Sequence, residues 1–381
     1  MKNSMKNSVK NSVKINFVGM ALLLLSFSAC EQQNPVEPNP YQTGDTMDSP
    51  RGMLVLNEGG FGANNASLDY LDFRTGVYDL NKFTQVNPTL TQGLGDVGND
   101  VCVYGGKAYV CVNGSGLIEV VDAASAKHLN AIQLANCRRL YAYDGYVYVS
   151  SYAGRVIDAN HQVGQIVKID TTSLAIVATC EVGYQPEGMA VVNGKLYVAN
   201  SGGYVGMNTT EGYDQRLSVI NLASFTLDKH IDIAPNLQEV FSDSHGCLWI
   251  SSYGNYADVA SNLYRFDPAT ETFMAMNTAV TKMTMVDDVI YFLTTTYDES
   301  WNAVTSFYTL AVASEQIAPL ALDTPVSNAY AIAVNPVNKD IYVTDAGDYV
   351  NPGKVYCFTS NGSLKWSLYA GVVPGHFAFV Y

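Results

Sequence analysis

A few carboxylates in this chain have a type and spacing that suit chemistry in a loop. DAGDYVN (345–351) places Asp345 and Asp348 three residues apart, and Glu187 stands at the entrance to an apolar run. Paired carboxylates hold a cation or act as a general acid and base. Carboxylates in surface loops are more often solvated or hydrogen-bonded to their own turn. We therefore predict neither a metal ligand nor a catalytic pair at these positions.

The histidines offer no better constellation for catalysis. The chain has no HxH, HExxH or GxSxG motif and no acidic calcium-binding loop, which are the short motifs that carry most metal and nucleophile chemistry. The five histidines are scattered along the chain. We expect only His161 and His376 to approach the face of the protein that carries the long loops. The sequence therefore predicts no catalytic residue and no metal, and favours a protein that is not an enzyme.

Residues suited to ligand recognition form a clearer repeated pattern than the carboxylates and histidines do. NSGGY (200–204) has counterparts in NEGGF (57–61), SYGNY (252–256) and DAGDY (345–349), and we call these four segments the echo loops. Each follows a short apolar run and places an aromatic residue two positions after a Gly. Aromatic rings offer flat apolar area, with a polar edge in Tyr and Trp, and Gly lets backbone groups approach closely. The aromatic residues are expected either to contact a ligand or to pack on neighbouring structure.

The candidate ligand-binding residues lie in or beside the echo loops and combine aromatic rings, amides and one imidazole. They are Phe61, Asn64, Tyr152, Tyr184, Asn200, Tyr204, Tyr256, Tyr297, Trp301, Tyr349 and His376. A ring of such side chains would suit a bulky ligand with apolar faces and amide or hydroxyl edges.

One structural unit recurs along the chain and must position these residues. Its second apolar run carries an aligned aromatic residue roughly every 40–50 residues, which is the spacing of β-propeller blades. The aligned aromatics are Tyr109, Tyr148, Tyr197, Trp249, Tyr291 and Tyr342, and Leu54 takes this position in the first unit. Alternating apolar residues rich in Val, Ile and Tyr indicate strands. We predict an all-β protein, a seven-bladed propeller of four-stranded antiparallel blades.

The two ends of the repeat predict how the ring closes. The first unit begins at its second strand, MLVLNE, whereas the chain ends in HFAFVY (376–381), an apolar run with no partner after it. We predict that this C-terminal strand enters the first blade as its inner strand. Loops between second and third strands then emerge on one face, together with the connections between blades. The longer insertions and the echo loops share this face, so we place the binding surface there.

The N-terminus reads as a bacterial lipoprotein signal. Four Lys precede the apolar run FVGMALLLLSFSA, which is followed by Cys30. We expect residues 1–29 to be a signal peptide, Cys30 to be lipidated, residues 30–50 to form a flexible tether and residues 51–381 to form the propeller. The protein is expected to be anchored to a membrane through lipid only.

Net charge and cysteine content bear on nucleic-acid binding and on disulfide formation. The net charge is −14, and loss of residues 1–29 removes four Lys and no acid, which makes the domain more acidic still. Such a domain is a poor candidate for nucleic acid. Six cysteines follow Cys30, mostly inside apolar runs, where Cys acts as a small core residue. Cys102 and Cys111 are placed diagonally across one predicted hairpin, so a disulfide between them stays open.

The chain resembles a known family in VGYQPEG (182–188), GKLYVANSGGY (194–204) and YAGVVPGHFAFVY (369–381), together with its lipoprotein leader. It is similar to the YncE-like seven-bladed propeller lipoproteins of Bacteroidetes, and most similar to the BtuG-type surface proteins. The resemblance implies cobalamin as the bound ligand, an outer-membrane location at the cell surface, and delivery to a BtuB-type TonB-dependent transporter. It implies no particular contact residue.

Two other functions remain open from the residues alone. Aromatic platforms with Asn and Asp also suit sugars, so a glycan-binding or adhesion lipoprotein is one alternative. A propeller lactonase or lyase is the other, and it would require two converging carboxylates or a bound metal in the channel.

Overall fold

The computed structural model describes residues 49–154, 162–300 and 303–381. Within them the chain forms seven four-stranded antiparallel sheets, each a blade whose first strand lies innermost. Inner strands of successive blades contact one another around the whole ring, including the contact between the last blade and the first. The predicted seven-bladed, all-β propeller is confirmed. Cys30, the predicted signal peptide and nearly all of the predicted tether lie outside the described residues.

The strands follow one another through the blades in chain order. Blades 1 and 2 contain β1 (Gly52–Asn57), β2 (Ser67–Asp72), β3 (Tyr78–Asp79), then β4 (Gly98–Tyr104), β5 (Lys107–Val112), β6 (Leu117–Asp122) and β7 (His128–Gln133). Blades 3 and 4 contain β8 (Cys137–Tyr143), β9 (Tyr146–Ser151), β10 (Gln165–Asp170), β11 (Ile176–Glu181), then β12 (Pro186–Val192), β13 (Lys195–Asn200), β14 (Arg216–Asn221) and β15 (Thr226–Asp232).

The remaining blades repeat the same arrangement. Blades 5 and 6 contain β16 (Leu237–Ser242), β17 (Leu248–Ser252), β18 (Asn262–Asp267), β19 (Thr272–Ala275), then β20 (Lys282–Val286), β21 (Val289–Tyr297), β22 (Ala303–Ala311) and β23 (Gln316–Pro319). Blade 7 contains β24 (Ala329–Val334), β25 (Ile341–Asp345), β26 (Pro352–Phe358) and β27 (Leu364–Val372), and β28 (Pro374–Val380) completes blade 1.

The C-terminal strand closes the ring as predicted. Strand β28 pairs with β1 in antiparallel register, with Gly52 opposite Val380 and Leu56 opposite His376. This pairing gives β1 a hydrogen-bonded neighbour on both sides, so the edge of β1 is covered. The two ends of the propeller thereby stabilise each other.

Four of the tight turns between first and second strands share one backbone geometry. Both central residues have left-handed φ in Gly105–Gly106, Asp144–Gly145, Asn193–Gly194 and Asp287–Asp288. Paired left-handed residues make the two-residue turns whose twist matches that of a hairpin. These turns form one face of the propeller, which we call the minimal-turn face. The opposite face, with the loops between second and third strands, is the loop-rich face.

The hydrophobic core lies between neighbouring blades, and the repeated aromatic residues form its largest side chains. Tyr109, Tyr148, Tyr197, Trp249 and Tyr342 are buried on their second strands. Tyr342 stacks on Phe73 of the adjacent blade at 6.2 Å between ring centroids. Because each blade buries its face only against a neighbour, the repeated aromatic couples blade to blade.

Two short helices accompany the strands. Helix α1 (Lys82–Val86) follows β3, and helix α2 (Gly203–Asn208) begins inside the NSGGY echo loop. Both are too short for a periodic pattern in the sequence. The buried Oε1 of Gln185 accepts the backbone N–H groups of Tyr204 and Val205 at 3.1 and 3.2 Å, which satisfies free amides at the start of α2.

The described cysteines are free thiols, so the disulfide left open between Cys102 and Cys111 is absent. Their diagonal placement is as expected, because Cys102 lies opposite Tyr109 while Cys111 lies opposite Asp100. Among the described residues, no helix has the length and apolar character needed to cross a membrane.

Candidate functional site

The echo loops share their Gly for a conformational reason. The third residue of each has left-handed φ: Gly59 at 76°, Gly202 at 55°, Gly254 at 68° and Gly347 at 57°. Only Gly adopts this region without cost. At Gly254 a side chain is also excluded by space, since a Cβ would lie 2.0 Å from the carbonyl oxygen of Val259. The repeated Gly therefore sets a repeated turn.

The first residue of each echo loop is a buried polar residue that fastens the loop to its blade. Nδ2 of Asn57 donates to the hydroxyl of Ser67 at 3.0 Å, and Nδ2 of Asn200 donates to that of Ser218 at 2.9 Å. Oδ1 of Asn200 accepts the Gly183 N–H at 2.9 Å. Asn200, a predicted ligand-binding residue, is fully buried with its amide occupied, so the structure assigns it to positioning the loop.

The aromatic residues of the echo loops are exposed, which the positional pattern alone left open. Their exposed fractions are 91% for Phe61, 41% for Tyr204, 72% for Tyr256 and 47% for Tyr349. Three of them rest edge-on or tilted against a second Tyr: Tyr204 on Tyr152, Tyr256 on Tyr213 and Tyr349 on Tyr330. Each ring is thus steadied on one side and open to solvent on the other.

The remaining predicted residues are distributed unevenly. Tyr297 is largely exposed at the end of β21, and Tyr184 is half-buried beside the Arg216 guanidinium, 5.6 Å away. Asn64 is exposed, and its Nδ2 donates to the Gln92 carbonyl at 3.2 Å. Tyr152 is buried beneath Tyr204. Trp301 lies outside the described residues.

The two Asp residues considered for a cation or acid–base pair are occupied by turn amides. Oδ1 of Asp345 accepts the Gly347 N–H at 2.9 Å, and Oδ1 of Asp348 accepts the Asn351 N–H at 2.8 Å. Hydrogen bonds from the backbone of Asn351 and Val350 lower the pKa of Asp348. Within the described ranges, no group of His, Cys, Asp and Glu is arranged to hold a metal ion.

A set of charged side chains that sequence reasoning did not assemble crosses the central channel. This charged belt lies at the loop-rich end of the inner strands and consists of Glu58, Asp100, Arg138, Arg139, Glu187, Glu239, Lys282 and His376. Every inner strand except β24 contributes a member near its start, and Glu58 follows β1. A comparison of the starts of the seven inner strands would have found this set, because nearly every one carries an ionisable residue.

Arg139 is the most connected member of the charged belt. Its guanidinium lies 3.3 Å from Nδ1 of His376, donates to the Asn99 carbonyl at 3.3 Å, and lies 3.6 Å from Oε2 of Glu187. These contacts reach from blade 3 to blades 1, 2 and 4. Burial would lower the pKa of Arg139, but the nearby charges of Asp100 and Glu187 raise it, so the guanidinium stays charged.

Two glutamates of the charged belt accept hydrogen bonds from tyrosine hydroxyls. The hydroxyl of Tyr330 donates to Oε2 of Glu58 at 3.0 Å, and Nε2 of His376 lies 3.1 Å from Oε1. Burial alone would raise the pKa of Glu58, but the hydrogen bond and charge of His376 lower it. The hydroxyl of Tyr152 likewise donates to Glu187, which also pairs with Arg138 at 3.3 Å. These carboxylates are therefore engaged within the ring.

A cavity of about 720 Å³ lies on the other side of the charged belt. Its lining runs from Arg139, Lys282 and His376 down the inner strands to Ser244 and Asp288 in the tight turns, so it opens toward the minimal-turn face. His376 belongs to this lining, whereas the echo loops, as far as the structure describes them, do not contribute to it. The belt thus separates two regions, the aromatic loop-rich face and an inner cavity.

Comparison with known proteins gives one family match, a model described as domain of unknown function DUF5074 over residues 51–365. A search of curated proteins gives no match. Among solved structures, a quinonprotein alcohol dehydrogenase-like protein from Bacteroides thetaiotaomicron is 16% identical with a TM-score of 0.62, over 87% of this chain and 78% of that one.

Two further solved structures have names of enzymes. A putative 6-phosphogluconolactonase from Bacteroides fragilis is 12% identical with a TM-score of 0.57, over 89% of this chain and 100% of that one. A streptogramin B lyase is 13% identical with a TM-score of 0.51, over 74% and 87%. At these identities the likeness shows the fold alone.

Proposed function

We propose for this chain, which belongs to the DUF5074 family, that it is a lipid-anchored outer-membrane protein at the cell surface that captures cobalamin or a related corrinoid. The ligand binds on the loop-rich face and is handed to a BtuB-type TonB-dependent transporter. The protein acts by binding, without turnover of the ligand. The anchor is the lipidated Cys30 of the N-terminal signal.

The observation that carries this proposal is the group of exposed aromatic rings on one face. Phe61, Tyr204, Tyr256, Tyr297 and Tyr349 come from five different blades, and each is more than one third exposed. Large exposed apolar groups gathered on one face usually mark an interaction surface. A corrin ring is broad and flat with an amide-fringed edge, so it matches rings that surround a channel mouth better than a narrow cleft.

Polar groups beside these rings suit the amide fringe of a corrinoid. Asn255 stands in an echo loop beside Tyr256 and is partly buried, and Asn351 follows the echo loop of Tyr349 and is exposed. Each side chain is already hydrogen-bonded to a neighbouring Asp, Asn255 to Asp258 at 2.7 Å and Asn351 to Asp348 at 2.7 Å. Amides held in this way are preoriented for further hydrogen bonds to a ligand.

Binding without turnover fits the state of the channel carboxylates. Glu58 and Glu187 are each engaged by a Tyr hydroxyl and by a basic side chain, and Asp100 accepts the Leu140 N–H at 2.8 Å. A catalytic acid and base need a reacting atom within hydrogen-bond reach of both groups. Engaged in this way, these carboxylates support a structural role.

Titration calorimetry of the purified protein with cyanocobalamin tests the proposal. The variant Tyr204→Ala, Tyr256→Ala, Tyr349→Ala removes three exposed rings and should weaken binding at least about tenfold, which corresponds to about 1.4 kcal/mol. The control variant Tyr143→Ala, Phe273→Ala, Val337→Ala removes three exposed apolar groups outside the loop-rich face and should bind like the parent.

Each other outcome identifies the part of the proposal that fails. Tight binding that the tyrosine variant leaves unchanged would keep the ligand and move its site. Absence of binding by the parent would overturn the corrinoid proposal, and glycans would be the next ligands to titrate.

Delivery to the transporter has a separate test. Charge reversals on the loop-rich face should disrupt a complex with the transporter. Disruption only by reversals on the minimal-turn face would contradict docking through the loop-rich face.

A further inference from the structure

We propose that the cavity between the charged belt and the minimal-turn face is a second binding site, which takes a small carboxylate with an apolar body. This site is separate from the corrinoid surface, because the cavity is lined by inner strands and tight turns and the exposed rings stand on the other side of the belt. The inference therefore stands or falls independently of the proposed function.

The walls of the cavity are mostly apolar. Met283 and Met285 line one side from β20, and Phe377 and Phe379 line another from β28. Ile332 and Ala333 of β24 lie between them. Aliphatic and aromatic walls favour the apolar part of a ligand, and a volume of about 720 Å³ is within the range of small-molecule sites.

The inner end of the cavity holds one cation that the protein leaves without a polar partner. Throughout the part of the chain that the structure describes, no hydrogen bond or ion pair reaches the ammonium of Lys282, and its nearest ring contact is Tyr330 at 5.9 Å from the centroid. Burial, and then the charge of Arg139, lower the pKa of Lys282, against the attraction of Glu239 and Glu58. A ligand anion would supply the missing partner.

The neighbouring carboxylates already accept hydrogen bonds from other groups. They therefore leave the position beside the Lys282 ammonium to a ligand. Oε2 of Glu239 accepts the Met283 N–H at 2.9 Å. Glu58 is engaged by Tyr330 and His376. Carboxylates held by hydrogen bonds cannot swing to the Lys282 ammonium without losing those bonds, and buried polar groups strongly keep their partners.

The mouth of the cavity does not present free negative charge against an incoming anion. Asp287 pairs with Lys339 at 2.5 Å, and Asp288 accepts the Ser244 N–H at 2.9 Å and lies 3.8 Å from His245. Each carboxylate of the turn is thus compensated locally. An apolar carboxylate can enter here with its charge leading toward Lys282 and Arg139.

A matched pair of probes, 4-phenylbutyrate and 4-phenylbutan-1-ol, separates the anion from the apolar body. In titration calorimetry of the purified protein, we expect the carboxylate to bind at least about tenfold more tightly than the alcohol, a difference of about 1.4 kcal/mol. Lys282→Met keeps an apolar chain of similar length and should abolish this preference while leaving the affinity for the alcohol unchanged. Lys354→Met, which removes a lysine stacked on Tyr369 at 4.9 Å in an outer part of blade 7, should bind both probes like the parent.

A second variant keeps the test valid if Lys282→Met folds poorly. Thr284→Trp fills the cavity from β20 without touching the charged belt, and it should weaken both probes while cyanocobalamin titrates as it does with the parent. Equal affinity of the parent for the two probes, or a carboxylate preference that survives Lys282→Met, would overturn the proposal. Failure of both probes to bind the parent at millimolar concentration would overturn it as well.

Discussion

Nη1 of Arg139 lies 3.3 Å from Nδ1 of His376, although 237 residues separate them in the chain. Arg139 belongs to the inner strand of blade 3, and His376 to the C-terminal strand that completes blade 1. The contact therefore joins the last strand in the sequence to a blade near the beginning of the chain. Because Arg139 also reaches Asn99 and Glu187, one guanidinium holds four consecutive blades in place.

Replacement of Arg139 by Gln should destabilise the whole propeller. Removal of one partner from a buried charged network leaves the other charges uncompensated, and we expect a loss of about 3 kcal/mol in the free energy of unfolding. Urea denaturation measures this loss. Arg74→Gln is the control, since its pair with Asp72 is largely exposed, and it should cost less than about 1 kcal/mol. Equal losses for the two variants would contradict the role given to Arg139.

The pH dependence of stability should report the state of Glu58. Its pKa in the folded protein lies below the ordinary value of 4.5, despite burial, because of His376 and Lys282. The ionised form therefore stabilises the fold fully above pH 4.5, and this contribution is lost as the pH falls through the folded-state pKa. Glu58→Gln should lower the free energy of unfolding by about 2 kcal/mol at neutral pH, and the difference from the parent should shrink in acid.

The control for this pH profile is Glu181→Gln, which alters an exposed carboxylate at the end of β11. Its difference from the parent should stay small at every pH. Denaturation curves between about pH 3 and pH 7 measure both profiles. A Glu58→Gln deficit that stays constant or grows toward acid would contradict a lowered pKa.

The fold could be predicted because its determinants are local and repeated. Each blade is predicted independently by three features of its sequence. They are alternating apolar residues in its strands, a two-residue turn such as Asn193–Gly194, and, in nearly every blade, an aligned aromatic residue in the second strand. The closing strand was predictable because the first unit lacks an inner strand before β1, whereas β28 follows the last complete unit and has no partner after it. The short helix α2 was not, since its start depends on the buried amide of Gln185, in the connection before β12.

The site was predictable only in part, for physical reasons. The positions of the echo-loop rings, such as Tyr256, follow from a local pattern of Gly and an aromatic residue, but the exposure of these rings does not. Burial of Asn200 depends on Ser218, on β14, and on Gly183, in the connection before β12. The charged belt is formed by single residues far apart in sequence, such as Arg139 and Lys282, that only ring closure brings together.

The thiols should be protected in the native protein. Burial raises the pKa of Cys180 and Cys247, and it raises that of Cys102, Cys111 and Cys357 strongly. Since the thiolate is the reactive species, we expect a disulfide reagent at pH 8 to react slowly with the native protein. All six described thiols should react once the protein is unfolded without reductant. Two fewer reactive thiols would indicate a disulfide and contradict the free Cys102 and Cys111.

Two Gly residues of the echo loops separate backbone conformation from available space. Gly254 and Gly347 have similar left-handed φ, 68° and 57°, but a Cβ would meet the Val259 carbonyl at 2.0 Å in the first and nothing within 4 Å in the second. Gly347→Ala should therefore cost only the conformational penalty, about 1–2 kcal/mol. Gly254→Ala should cost clearly more, because the loop must move to admit the methyl group. Urea denaturation of the two variants gives this order, and equal losses would show that conformation alone accounts for the Gly of the echo loops.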